Sequence, residues 1–203
     1  RSVSRGLGDV YKRQALALDW MWLVEQSSGS DLGFLLIDYP GFGECEGSAS
    51  PESILASSKA AWEHWQELYA YQRTPQIGIL GHSLGAAAAL QLAETIPVER
   101  VVLLSPFTSV ADMVKKMFGS WLIPLLQHRF ENRGPLMQLL KRDPPPSITI
   151  IHGTRDEVIP VEMGRELAAI NSEHIHYHEL IHSYHNTIPV SYTHLTLPTT
   201  YGV

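Results

Sequence analysis

Along the chain, short apolar runs bounded by glycine, proline or polar residues alternate with longer stretches of helical spacing. The runs occupy residues 33–39, 76–82, 100–107, 147–153 and, with less continuous apolar character, 174–180. Strands alternating with helices predict a mostly parallel sheet. Val101-Val102-Leu103-Leu104 and Ile148-Thr149-Ile150-Ile151 are nearly unbroken in apolar character. That is the pattern of strands covered by helices on both faces, whereas a half-exposed antiparallel sheet would alternate.

The helix after the first run has a readable start. Ser50 is a candidate cap, Pro51 suits the first turn and Glu52 complements the positive end of the dipole. Ile54, Leu55, Ala61, Trp62, Trp65, Leu68 and Tyr69 recur near helical spacing and predict one apolar face, with the tryptophans as packing residues. Residues 84–94 form a second, alanine-rich helix able to lie close to the sheet. Pro160 opens a third, with Met163, Leu167 and Ile170 on one side. Residues 110–143 are helical in pattern but interrupted at Pro124 and Pro135, which reads as a short cap inserted in one domain.

The two ends are unlike the middle and related to each other. Back-translated and reverse-complemented, Val190-Ser191-Tyr192-Thr193-His194-Leu195 reads in a shifted frame as Val10-Tyr11-Lys12-Arg13. Protein structure gives no reason for complementarity at the codon level. Residues 1–14 and 190–203 resemble translated adaptor sequence from sequencing libraries and are expected to be non-native. The domain is then 15–189, truncated at both ends.

The whole chain of 203 residues carries a net charge of -6, with 44% hydrophobic and 18% charged residues, which predicts a core-forming globular domain. The ends hold four of its 15 basic and one of its 21 acidic residues, leaving 11 against 20, a net of -9. An acidic body argues against nucleic-acid partners and gives no attraction to anionic membranes; membrane association is otherwise left open. A single cysteine, Cys45, excludes an internal disulfide. With the native start missing, no signal or anchor can be read, and the cytoplasm is only the default compartment.

The chemistry centres on Gly81-His82-Ser83-Leu84-Gly85, a G-x-S-x-G turn between a predicted strand and the alanine-rich helix. Such a turn pushes the serine hydroxyl out at the carboxyl edge of the sheet, beside a helix N-terminus that favours developing negative charge. A serine hydroxyl needs a base, and the base needs an orienting carboxylate. Asp156 follows the run at 147–153 and His185 follows the run at 174–180. The order nucleophile, acid, base (Ser83, Asp156, His185) is that of α/β-hydrolases. Glu157 and Asp112 are rival acids, and His182 is the rival base; His82 reads as a packed neighbour.

Five motifs carry a family resemblance: residues 38–48 (DYPGFGECEGS), the GHSLG turn, residues 104–109 (LSPFTS), residues 152–156 (HGTRD) and the His185-Asn186 pair. Together, over residues 15–189, they resemble serine-aminopeptidase-like α/β-hydrolases with short caps. The resemblance implies an α/β-hydrolase fold and a serine hydrolase acting on a small-molecule acyl ester or thioester, of carboxylesterase, lysophospholipase or acyl-thioesterase type. It implies catalytic Ser83, Asp156 and His185, with the Leu84 backbone N–H as one oxyanion donor. The second donor would lie upstream of Ala15, so the alternative is a fragment inactive through loss of that loop, or a non-catalytic binding module. Cys45 stands where relatives commonly have serine. His174, His176 and His178 alternate, as on one strand face, but no cysteine or carboxylate cluster completes a metal site; no cofactor or metal is expected.

Overall fold

The computed structural model describes residues 17–26, 32–69 and 76–188, which fall in two compact units divided after Arg73. The adaptor-like stretches 1–14 and 190–203, and the expected second oxyanion donor upstream of Ala15, lie outside the described residues.

In the first unit a 3-10 turn, Ala17–Trp20, leads into helix α1, Met21–Gln26, and the long helix α2 spans Pro51–Tyr69. Ser50 caps α2 as expected: the Ser53 N–H donates to Ser50 Oγ at 3.1 Å, and Ser53 Oγ in return accepts the Ser50 N–H at 2.9 Å. Trp62 and Trp65 are half-buried and stack with centroids 5.2 Å apart. The apolar face ends sooner than its spacing predicts, because Leu68 is 63% and Tyr69 45% exposed. Residues 33–39 depart from expectation as well. They form no strand, since an apolar run becomes one only where a neighbouring backbone completes its ladder, and none is paired with it among the described residues.

The second unit is a four-stranded sheet in the order β1-β2-β3-β4, every neighbouring pair parallel. The strands are β1 (Gly78–His82), β2 (Arg100–Leu104), β3 (Ser147–Gly153) and β4 (Ile175–Leu180). Between them run α3 (Leu84–Ala93), then α4 (Val110–Phe118) with a 3-10 turn (Ser120–Leu125) and α5 (Arg133–Leu140), then α6 (Val161–Ala168). Helix α3 packs on β1 and β2, and α6 packs on β3 and β4.

Ile150, Ile151 and His152 are successive in β3 and therefore face alternately, yet all are fully buried, so β3 is covered on both sides. Five consecutive residues of α3, Ala86 to Leu90, are buried too. A methyl side chain buries with little loss of conformational freedom and lets a helix approach the sheet closely. Outer strand β4 is less covered, burying only its end residues Ile175 and Leu180 and exposing His176 and His178. His174 precedes the strand, its backbone N–H bonded to Asn171. Among the described residues no group of three or more His, Cys, Asp or Glu is placed to hold a metal ion, and no helix is long and apolar enough to cross a membrane.

Candidate active site

Each strand of a parallel sheet delivers its following residue to the same rim. Here the ladder continues one step past three strand ends. The Ser83 N–H donates to the Leu104 carbonyl at 2.9 Å, the Ser105 N–H to Ile151 at 2.9 Å and the Thr154 N–H to Leu180 at 3.0 Å. Ser83, Ser105 and the Asp156 loop thus hang from paired backbone.

Ser83 has φ +56° and ψ -117°, a conformation that an L residue adopts only under constraint. The constraint is visible at Gly81. A Cβ there would lie 2.1 Å from the Gly85 carbonyl oxygen and 2.8 Å from the Ala86 Cα, so strand and helix meet closely only because residue 81 is glycine. Leu84 opens α3, and its N–H belongs to the first turn, whose donors have no acceptor within the helix.

The loops carrying Asp156 and His185 are pressed together in the same manner. A Cβ on Gly153 would stand 2.3 Å from the Ser183 carbonyl oxygen, and the Arg155 N–H donates to that oxygen at 3.0 Å. Asp156 and His185 consequently meet: His185 Nδ1 lies 2.8 Å from Asp156 Oδ2 and 3.0 Å from Oδ1. An ionised carboxylate only accepts, so Nδ1 carries the proton that faces Asp156, and Nε2 is the ring nitrogen on the other side of the imidazole.

The Asp156 carboxylate is fully shielded from solvent. Burial alone would raise its pKa, but hydrogen bonds from His152, His185 and Ser105, with the Ile159 backbone N–H, outweigh that and hold it well below the usual carboxylate range. Ser105 Oγ donates to Oδ2 at 2.5 Å, while Oδ1 accepts the N–H groups of Val158 at 2.9 Å and Ile159 at 2.7 Å. His152 Nε2 lies 3.4 Å from Oδ2 and donates to the Ile159 carbonyl at 2.9 Å.

His82 lies against His185. Its Nε2 donates to the His185 carbonyl at 3.1 Å, and the two rings sit 4.6 Å apart. Burial first, and then the repulsion of a charged His185, lower the His82 pKa to about 4, which leaves its ring uncharged near neutrality.

The rival residues are occupied elsewhere. Glu157 accepts the His185 backbone N–H at 3.2 Å and makes no bond to its ring. Asp112 bonds Thr108 at 2.9 Å and Arg133 at 2.6 Å. His182 is exposed, with its backbone N–H on Thr154 Oγ1 at 3.0 Å. No hydrogen bond joins Ser83 Oγ to His185; contacts of this kind commonly close only around substrate. The geometry adds two side chains that sequence reasoning left without a role, Ser105 and His152. Their signal was position, since both stand at the carboxyl ends of strands adjoining the Asp156 loop.

A sequence profile described as "Alpha/beta hydrolase family" matches residues 6–143, the stretch that contains the Ser83 turn. The chain belongs to the alpha/beta hydrolase family. The matched stretch ends before Asp156 and His185, and its first residues overlap the adaptor-like stretch. Among curated proteins, this alpha/beta hydrolase chain is 32% identical over 145 residues to an uncharacterized protein of Mycobacterium tuberculosis, covering 71% of this chain and 50% of that protein. It is 29% identical over 163 residues to human Protein ABHD12B, covering 70% of this chain and 42% of that one. The chain spans about half the length of the first of these curated relatives. Of solved structures, an esterase from Rhodococcus aligns with TM-score 0.64 at 14% identity over 91% of this chain and 85% of its own. The monoacylglycerol lipase of Paleococcus ferrophilus aligns with TM-score 0.57 at 18% identity over 85% and 82%. At those identities the likeness is one of fold.

Proposed function

We propose that the protein is a serine hydrolase that cleaves a small-molecule acyl ester or thioester, with Ser83 as nucleophile, His185 as base and Asp156 as its orienting acid. The observation that supports this reading is the buried Asp156–His185 pair at 2.8 Å, held through Nδ1 on the same rim as the strained Ser83 turn. The esterase and lipase names of fold neighbours agree with it.

In this mechanism Ser83 Oγ attacks the acyl carbon while His185 Nε2 takes its proton, and Asp156 stabilises the imidazolium. The oxyanion that forms receives the Leu84 N–H. Collapse breaks the bond to the leaving alcohol or thiol, which departs with the proton from His185. Water then attacks the acyl-serine, again through His185, releasing the acid and restoring the Ser83 hydroxyl.

The test is reaction with a fluorophosphonate, followed by peptide mapping. An adduct on Ser83, lost in Ser83→Ala together with turnover of a p-nitrophenyl ester by a factor on the order of 10⁶, is the expected result. Turnover unchanged by the substitution would remove Ser83 from the mechanism. Absence of any adduct would support instead a family member that keeps the fold to bind.

A further inference from the structure

The orientation of His185 depends on the rotation of one carboxylate, and His185 itself does not fix that rotation. Its Nδ1 stands almost equally far from the two oxygens, at 2.8 and 3.0 Å. The plane is set by donors specific to each oxygen. Oδ1 is taken by the N–H groups of Val158 and Ile159 from its own loop. At Oδ2 the close donor besides His185 is the Ser105 hydroxyl at 2.5 Å, with His152 Nε2 further away at 3.4 Å and shared with a carbonyl.

Ser105 is fully buried and follows a different strand, β2. Its backbone is tied to β3 through the Ile151 carbonyl, and its φ of +44° lies in the region L residues rarely adopt. Backbone strain at a buried residue persists where surrounding contacts over-determine it. Here the contact made is a donor aimed at the acid of the neighbouring strand.

We infer that Ser105 is a positioning residue, whose hydroxyl locks the Asp156 carboxylate in the rotation that presents it to His185. The inference rests on the hydrolase reading for its catalytic meaning. The Ser105 hydroxyl can donate to an acceptor-only carboxylate, which alanine or glycine cannot do. The titratable groups around Asp156 are His152 at the end of β3, His185 after β4, His82 against the His185 ring, and Glu157 on the His185 backbone; Arg155 points to Tyr184 Oη at 3.5 Å.

The test uses Ser105→Ala and Ser105→Gly. Both delete the hydroxyl, but glycine relaxes the positive φ and alanine retains it. Two quantities are read in the full chain carrying ¹³C-labelled aspartate: the titration midpoint of the Asp156 carboxyl by NMR, and the pH profile of fluorophosphonate labelling at Ser83. Both variants should raise the carboxyl midpoint alike and slow labelling by roughly 10- to 100-fold, the effect of losing one hydrogen bond to a charged group. If alanine at φ +44° does not fold, the glycine variant carries the test. An unchanged midpoint in either folded variant overturns the inference, as does a labelling profile that follows only the variants' stabilities. Failure of the unsubstituted chain to label would instead count against the hydrolase reading, and the carboxyl midpoint would still decide whether Ser105 governs Asp156.

Discussion

Replacing Asp156 with asparagine should flatten the acid side of the protein's stability curve. In the folded chain the carboxyl sits well below the usual range, because hydrogen bonds from His152, His185 and Ser105 and the Ile159 N–H outweigh the desolvation that would raise it. In the unfolded chain it returns to about 3.9. A group whose folded pKa is depressed contributes its stability in full above the unfolded value and loses it as the pH falls towards the folded one. Between pH 5 and pH 3 the unfolded chain takes up this proton and the folded chain does not, so Asp156 alone removes about 1.3 kcal/mol. His82, lowered to about 4, also titrates inside that window, so both proteins carry His82→Gln to remove it, and the other carboxylates titrate in both. The readout is therefore a difference of differences: urea midpoints by circular dichroism at pH 5 and pH 3, for parent and Asp156→Asn. With a urea slope of about 1–3 kcal/mol per molar, the parent's midpoint should fall by roughly 0.4–1.3 M more than the variant's. Equal falls would mean that Asp156 is not held ionised by its neighbours, and the orienting role would lose its basis.

Two further outcomes follow from the rim. Gly153→Ala places a Cβ 2.3 Å from the Ser183 carbonyl oxygen, so the Asp156 and His185 loops must separate; a loss of about 1–3 kcal/mol in urea unfolding is expected, with slower Ser83 labelling. His185→Ala should slow fluorophosphonate labelling by roughly 10²–10⁴, whereas His182→Ala, at an exposed residue bonded through its backbone, should leave the rate within about twofold.

The parts of this architecture that could be read from the sequence are those a local pattern determines. The unbroken apolar stretches of β2 and β3 announce strands covered on both faces, and β3 is so covered. Ser50 with Pro51 announces the start of α2, because capping needs only residues within one turn. Asp156 and His185 were legible through topology, since a residue just past the end of a parallel strand is carried to the common rim. Pairing is where legibility stops. Among the described residues, 33–39 have strand composition but no ladder partner, and Leu68 and Tyr69 have helical spacing but stay exposed. Ser105 was visible within Leu104-Ser105-Pro106 only as part of a motif. Its role depends on a positive φ in a non-glycine residue and on the register of β2 against β3, neither of which composition encodes.

The strand order explains why so many side chains must cooperate at this rim. Chain order and spatial order coincide, so the Ser83 strand and the His185 strand stand at opposite sides of the four. At about 4.8 Å between neighbours, the ends of β1 and β4 are separated by roughly 14 Å, more than an imidazole spans. His185 must therefore reach back across the ends of β2 and β3 to meet Asp156. Each intervening strand supplies a foothold for that reach: Asp156 after β3 holds the His185 ring, and Ser105 after β2 holds Asp156. On the far side His82, the last residue of β1, donates to the His185 carbonyl and lies beside its ring. The short 3-10 turn His185–Thr187 is thus fastened from both directions, by Asp156 on one side and by the β1 strand that leads to Ser83 on the other. Lengthening the segment between β4 and His185 would change none of these residues and still part His185 from Asp156, because the turn would no longer be held taut across the sheet; slower fluorophosphonate labelling of Ser83 is the expected readout.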